Sequence, residues 1–406
     1  MEKYVCAFRG RRDSYQVPLA LAEHELLDEF ITDAYAQGWV RTLAKFGPQP
    51  VAAKLKSRLE LGIPMEKVRC LWGTTVIEHL RHRAGCQRLL TFDKLDRRFS
   101  RAAERRAIQT KSHLLLYNSY AWEAFTATYA HQPRRVMFQY HPHPDLEQRI
   151  LETDGNLYPG IGESFSGGAP GQLTRQLIRR ERDCWQHADL IFCASSFTKR
   201  SLLEAGADEK KCLVVPYGIE VPTAVETKPP AEAFQVVFVG SGNQRKGLHH
   251  LLLAWRKAAL PASSKLTLVC RMIDGGIKEM VSGTPRVELR QGVSGAELNR
   301  LYATNSLFAM PSMIEGFGQV YLEALAQGCP VLGTANTCLP DLGGETDGIF
   351  LVTPGDLDQL VERLEHLSGF LPGNDVIRQQ ARNCANRFPW VRFRRDLHAK
   401  LVGFRF

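Results

Sequence analysis

Eleven short apolar runs, most of them followed by a stretch of helical length, limit what this chain can fold into. In the first half they are KYVCAF, LDEFITDAY, HLLLYNS, RVMFQY and ADLIFCASS. In the second half they are FQVVFVGS, KLTLVC, RVELRQG, SLFAMPS, PVLGTA and IFLVTP. Each is bounded by polar, Gly or Pro residues, the pattern of strands buried on both faces. Between the later runs, LHHLLLAWRKAA, GAELNRLYAT, QVYLEALAQG and LDQLVERLEHLSGF repeat apolar residues at helical spacing. Strand–helix alternation predicts parallel sheets with helices on both faces. A single sheet of eleven or more strands is improbable. The chain is therefore expected to be α/β, with two doubly wound, Rossmann-like domains facing across a cleft.

The domain boundary is written in composition. Residues 214–235 contain four prolines and little periodicity, as linkers do, which puts a hinge at 216–234. The first domain is then 1–217 and the second 218–385. Residues 386–406 form a terminal amphipathic helix with aromatics at 388, 390 and 393. The Gly-rich segment 153–172 reads as a loop near the mouth of the cleft.

Composition removes several classes of function. With 406 residues, 44% hydrophobic and 23% charged, the chain is an ordinary globular protein of two or three domains. No apolar run reaches the roughly 18 residues that cross a bilayer. The N-terminal MEKYVCAFRGRRD is not a secretory signal. The ten cysteines form no C-x-x-C pair, so neither a zinc site nor a dithiol motif is expected. Cys193 and Cys270 lie in apolar runs and read as core residues of a reduced, cytoplasmic protein.

Net charge is +9, of which +7 falls in residues 1–217. Ten basic and three acidic residues crowd into 81–111. Such a region is either a solvated helical face or a patch for anionic lipid, phosphorylated substrate or nucleic acid. No aromatic interleaving accompanies it, so nucleic acid is not expected as a partner.

Two strand–loop–helix stretches carry the chemistry. In PSMIEGFGQVYLEALAQGCPVLGT (311–334), Gly316 and Gly318 let the backbone approach a ligand, and the helix start offers N–H groups to an anion. Glu315 lies in the loop, and Glu323 lies about two turns on. Two carboxylates at that spacing can accept hydrogen bonds from hydroxyls along one extended ligand. On spacing alone, Glu323 is equally an ordinary helix-surface residue. In VVFVGSGNQRKGLHHLLLAW (236–255), Arg245 and Lys246 stand at a helix start, a plausible diphosphate clamp. It matches neither a Walker A loop nor a G-x-G-x-x-G fingerprint.

Together these stretches resemble the retaining glycosyltransferases of family 4, which have the GT-B fold. The resemblance rests on E-G-F-G-x-x-x-x-E followed by A-x-A-x-G-x-P-V, on K-G after a strand, and on V-x-P-Y-G-I-E. The A-D-x-I-x-x-x-S-x-F-T-K segment and the terminal F-P-W add to it. It is good across the second domain and looser in the first. It implies that the terminal helix crosses back to the first domain. Glu323 would hold ribose hydroxyls of a nucleotide sugar and Glu315 hydroxyls of the donor sugar. The amides of Gly316, Phe317 and Gly318 would contact sugar and diphosphate, and Lys246 would neutralise the leaving diphosphate. Gln291-Gly292-Val293 would lie along the base. The family places Arg after the strand-end Gly, whereas here Gly240 is followed by Ser241. Arg245 is taken to supply the missing charge. In the first domain the loop facing the diphosphate is Arg9-Gly10-Arg11. A histidine near the reacting carbon is expected, and both His141 and His143 are candidates.

The resemblance implies transfer of a sugar from a nucleotide diphosphate sugar to an acceptor hydroxyl, with retention, in glycan, polysaccharide or glycolipid biosynthesis. No metal and no cofactor beyond that co-substrate are expected, because cations and helix N-terminal amides would stabilise the leaving group. The acceptor would be a carbohydrate or a lipid-linked sugar, and 81–111 would hold the first domain at an anionic membrane. The competing readings are another GT-B enzyme (an epimerase, an inverting transferase or a phosphorylase) and a degenerate binding or scaffold subunit.

Overall fold

The computed structural model describes residues 2–36, 58–73, 88–161, 180–222 and 233–406. The first sheet contains β1 (Tyr4–Ala7), β2 (Leu27–Thr32), β3 (Val68–Cys70), β4 (His113–Tyr117), β5 (Arg135–Gln139), β6 (Leu190–Cys193) and β7 (Cys212–Val214). Its order is β3-β2-β1-β4-β5-β6-β7. The second contains β8 (Gln235–Val239), β9 (Lys265–Val269), β10 (Val287–Arg290), β11 (Leu307–Ala309), β12 (Val331–Thr334) and β13 (Ile349–Val352), in the order β10-β9-β8-β11-β12-β13. Strand pairing is parallel throughout, as in Leu116↔Met137 and Val237↔Thr267.

Around the first sheet lie α1 (Gln16–Glu23), α2 (Arg88–Thr110), α3 (Asn118–Thr126), α4 (Pro144–Leu157) and α5 (Ser196–Glu204). Around the second lie α6 (Leu248–Lys257), α7 (Gly275–Ser282), α8 (Gly295–Thr304), α9 (Gln319–Ala326), α10 (Leu357–Phe370) and α11 (Asp375–Asn386). The terminal helix is α12 (Trp390–Gly403). The chain is thus α/β with two doubly wound sheets.

In both sheets the strand order reverses beside the first strand, between β1 and β4 and between β8 and β11. Loops on the two sides of such a point diverge and leave a crevice at the carboxyl ends of the strands. The loops after β1, β8 and β11 therefore open onto the same kind of place in each domain.

Every apolar run of the sequence contains a strand. β3 and β7 have no counterpart among those runs; each is three residues long and ends a sheet, too short to show periodicity. The segment from 153 is not loop from its start. Thr153–Leu157 completes α4, with Tyr158 N–H bonded to the Asp154 carbonyl at 3.0 Å. Residues 162–172 lie outside the described residues, as do 81–87 of the basic region and 223–232 of the hinge. The described start of the hinge is packed: Ile219 bridges Pro389, and a Cβ on Gly218 would sit 2.8 Å from the Trp390 backbone.

Helix α12 crosses back to the first domain. Arg394 Nη1 donates to Gln16 Oε1 at 2.6 Å and Nε to Glu23 at 2.8 Å, and the His24 and His398 rings stack at 3.5 Å. Phe393 and Trp390 are buried against Tyr217, at 5.7 and 6.0 Å between ring centroids. Burial of each large ring stabilises the joint by about 1.5–3 kcal/mol.

Candidate active site

The loop after β8 aims two cations. Gly240 N–H bonds the Val269 carbonyl at 3.1 Å, prolonging the sheet. The Asn243 side chain then accepts from Lys246 N–H at 3.2 Å and closes a single tight turn, Gln244–Lys246. Gly247 ends it at φ 65, where a Cβ would lie 2.0 Å from the Pro311 carbonyl oxygen. Only glycine fits there. Arg245 and Lys246 are held just ahead of α6.

The loop after β11 supplies the carboxylate. Met313 N–H donates to the Arg245 carbonyl at 3.0 Å, and Glu315 N–H to the Asn336 carbonyl at 2.9 Å. The Thr334 hydroxyl donates to the Ser312 carbonyl at 2.6 Å. Thus fixed, Glu315 is buried. Its Oε1 accepts from Gly316 N–H at 3.2 Å, and its Oε2 meets Lys246 Nζ and, at 3.7 Å, Arg245 Nη1. Arg245 Nε also lies 4.0 Å from Glu147 of α4. Burial, with Arg245 beside it, pushes the Lys246 ammonium well below the ordinary lysine value.

The first domain presses closely on this loop at Gly316. A Cβ on Gly316 would be 1.8 Å from the Tyr140 carbonyl oxygen and 2.9 Å from the His141 Cα. The Gly316 carbonyl accepts from Ser195 Oγ at 2.6 Å and Thr198 Oγ1 at 3.1 Å. Residue 316 is therefore glycine because two backbones meet there. The contact brings His141 to the cations. Burial, and after it Arg245, Arg12 and Lys246, hold this imidazole well below its ordinary value, so it is neutral. Its Nδ1 is buried without a hydrogen-bond partner among the described residues.

His143 is placed differently. Its Nδ1 accepts from Asp145 N–H at 3.3 Å and caps α4, while its Nε2 lies 3.0 Å from the Arg182 carbonyl. The structure separates the two candidates: His143 serves the helix start, and His141 faces the cations.

The other residues singled out in the sequence lie around the same crevice. Gly10, at φ 80, donates its N–H to Asp33 Oδ1 at 3.0 Å and leaves open space where a Cβ would be. Ser241 is partly exposed at the carboxyl end of β8, and Gly292 and Val293 follow β10. The Phe317 ring is buried and packs edge-on against Tyr217 at 5.3 Å, which leaves its backbone for the cleft. Gly318 starts α9 at φ 80. Glu323, about one turn into α9, is partly exposed and makes no hydrogen bond or ion pair with any described residue. Burial raises its carboxyl above the ordinary value.

Two features escaped the sequence reading. One is Arg12, beyond the first loop. The other joins the domains: Asp154 of α4 accepts from Gln244 Nε2 at 2.7 Å, His249 Nε2 at 3.1 Å and His250 Nε2 at 2.6 Å. All four residues are buried. Adjacent histidines in an apolar helix were the signal, but their partner is 95 residues away. Among the described residues this is the one group with the composition and closeness of metal ligands. A carboxylate only accepts, so both Nε2 atoms carry protons and point them at Asp154. Both Nδ1 atoms are buried without partners, whereas a metal-ligating imidazole needs an acceptor for its second N–H. The group is a hydrogen-bonded clasp between domains.

The paired switch-point crevices, the crossing terminal helix and the facing loops define the GT-B architecture. Solved structures agree: the chain aligns over its full length with Anabaena Alr3699/HepE in complex with UDP and glucose (TM-score 0.60, 15% identity, 100% of each chain). It also aligns with sucrose-phosphate synthase from Thermosynechococcus elongatus (TM-score 0.63, 15% identity, 99% of this chain and 98% of that one). Residues 233–369 match the model of the family described as glycosyl transferases group 1, in agreement with the GT-B architecture of the whole chain. An MMP alpha-(1→4)-mannosyltransferase of Mycolicibacterium hassiacum is 25% identical over 193 residues, 46% of this chain and 47% of that protein. The chain spans about half the length, or less, of the curated relatives it matches. Among the described residues, no helix is long and apolar enough to cross a membrane.

Proposed function

We propose that this protein transfers a hexose from a nucleotide diphosphate sugar to an acceptor hydroxyl, with retention at the anomeric carbon. The observation that carries this reading is the meeting of Arg245, Lys246 and Glu315 with the neutral His141 at the domain boundary. Loss of a nucleoside diphosphate puts negative charge on the phosphate oxygens. Two cations already fixed by Gly247 and Asn243 stabilise that charge without reorganising, which is how preorganised sites lower a barrier. They do for the leaving group what a metal would do. Lys246 exchanges its Glu315 partner for phosphate, and Glu315 is freed to accept from donor-sugar hydroxyls. The unpartnered Nδ1 of His141 offers a hydrogen bond at the reacting face. Glu323, a carboxylate without a partner among the described residues, holds ribose hydroxyls. The bound UDP and glucose named for the Anabaena structure support a nucleotide sugar as donor.

The described part of the basic region supports peripheral binding to an anionic surface. Arg106 is spent on Asp28, at 2.9 and 3.2 Å. Lys94, Arg98, Arg101 and Arg105 of α2 are exposed at helical spacing and form one stripe.

The test is to incubate the full chain with UDP-, GDP- and ADP-hexoses, following nucleoside diphosphate release and the anomer of the freed sugar by NMR. One donor should be consumed with its anomeric configuration kept, and Lys246→Ala should lower the rate about 10²–10³-fold. No release from any donor, with or without added membranes, would favour a scaffold subunit, the reading that Ser241 in place of arginine suggests.

A further inference from the structure

The first-domain wall of the cleft holds a cation that the donor chemistry above does not use. After Gly10, the chain makes a turn in which Asp13, Ser14 and Tyr15 have φ of 46, 50 and 65. Three consecutive residues in the left-handed region, none of them glycine, are costly for L-amino acids. Such strain persists only where surroundings impose it, and it concentrates at functional sites. Here both ends are pinned. The Tyr117 hydroxyl donates to Asp13 Oδ2 at 2.6 Å, and the Tyr15 ring is buried against Phe30 and Tyr35 at 5.7 and 5.4 Å.

The product of the turn is the position of Arg12. Its guanidinium carbon lies 4.0 Å from the Tyr140 ring centroid, 4.9 Å from Tyr117 and 5.7 Å from Tyr120. Among the described residues its one hydrogen bond runs from Nη2 to the Tyr140 hydroxyl at 3.3 Å. It forms no ion pair with any described residue. Asp13, bonded by Tyr117, and beyond it Asp96 and Glu181 lie within the field of Arg12 without pairing with it. Neighbouring arginines are different: Arg58 is paired with Asp33 at 2.8 Å and Arg245 with Glu315 at 3.7 Å. Arg12 is only partly buried, and Tyr140, on which it stacks, is followed by His141. A stacked guanidinium has its fork orientation set and its remaining N–H groups free to take two oxygens of one anion.

We propose that Arg12 is an anion-binding residue of the first-domain wall, receiving phosphate or carboxylate oxygens of a substrate, and that the anion belongs to the acceptor. The word acceptor rests on the transferase reading; the anion site does not. Arg245 and Lys246 already face the donor from the other wall, so a third cation beyond His141 is placed for a group on the acceptor side. The alternative source of the same chemistry is the donor's own diphosphate.

The test is calorimetric titration and phosphorus NMR of inorganic phosphate with the full chain, wild type, Arg12→Gln and Arg12→Lys. Each is run with and without saturating UDP, GDP or ADP. Arg12→Gln should weaken phosphate binding about 10–100-fold, with Arg12→Lys between the two because it keeps charge and loses the fork. Persistence of Arg12-dependent phosphate binding with nucleotide bound supports the acceptor as the source. Competition by nucleotide, with nucleotide affinity itself falling in Arg12→Gln, overturns the acceptor assignment and gives the anion to the donor. Equal phosphate and nucleotide affinities in wild type, Arg12→Gln and Arg12→Lys overturn the anion site. Failure of every nucleotide to bind would count against the transferase reading, while the phosphate titration alone would still decide the role of Arg12. If Arg12→Gln does not fold, the Arg12→Lys comparison decides.

Discussion

Asp154→Ala removes the one acceptor on which three buried donors of the second domain converge. The wild-type carboxylate accepts from Gln244, His249 and His250 at 2.7, 3.1 and 2.6 Å. Gln244 keeps its second bond, to the Leu151 carbonyl at 2.9 Å, but each imidazole N–H left buried and unpaired costs about 1–3 kcal/mol. Water entering the space of the lost side chain offsets part of this and leaves a net loss of about 3 kcal/mol. At about 2–4 °C per kcal/mol for a domain of this size, the melting point should fall by at least about 6 °C. Differential scanning calorimetry is the assay, with Glu152→Ala as the control. Glu152 lies on the same helix and is exposed, so its loss should change stability by less than about 0.5 kcal/mol. Because the clasp ties α4 to α6, the variant's endotherm should also broaden or split as the domains melt apart. A melting point within 2 °C of wild type, about the shift expected from 1 kcal/mol or less, would refute the reasoning.

Gly316→Ala should destabilise the domain contact by about 1–3 kcal/mol or more, because its methyl would stand 1.8 Å from the Tyr140 oxygen; an unchanged melting point would contradict the close approach. Burial holds His249 and His141 below the ordinary imidazole value. The unfolded chain therefore takes up these protons first, near pH 6.5, and stability falls as pH drops through that value. The Asp154 carboxyl is held low by its histidine and glutamine donors, against burial. Its contribution is complete above the ordinary carboxylate range and lost below about pH 4. Melting points measured between pH 8 and 3 should decline in these two windows, and a rise toward acid would contradict the assignment. Replacing Lys94, Arg98, Arg101 and Arg105 together by Gln should abolish co-sedimentation with anionic liposomes, at about 1 kcal/mol per cation; unchanged sedimentation, or none by the wild type at low salt, would remove the membrane role.

The second domain was the more legible half. Its six strands and the four helices read from periodicity all form where the alternation places them, because fully buried strands and amphipathic helices repeat at their own periods. The loops carrying Arg245, Lys246 and Glu315 were visible because glycines punctuate them. What stayed hidden depends on contacts distant in sequence. Nothing local distinguishes His141 from His143; the difference is that one meets Gly316 and the other caps a helix. Asp154 was placed in a Gly-rich loop because its partners lie beyond 240. The left-handed turn at Asp13–Tyr15 contains no glycine, so sequence rules for turns pass over it, and Arg12 was passed over with it.

Calorimetric titration of UDP, GDP and ADP into the wild type and Glu323→Ala is the most direct measurement of whether the crevice of the second domain is a nucleotide diphosphate site. One nucleotide should bind, and its affinity should fall about 10–100-fold in Glu323→Ala, the worth of hydrogen bonds from hydroxyls to a charged acceptor. No binding by any of the three, or a nucleotide affinity indifferent to Glu323, would contradict the nucleotide site or the ribose contact on which it rests.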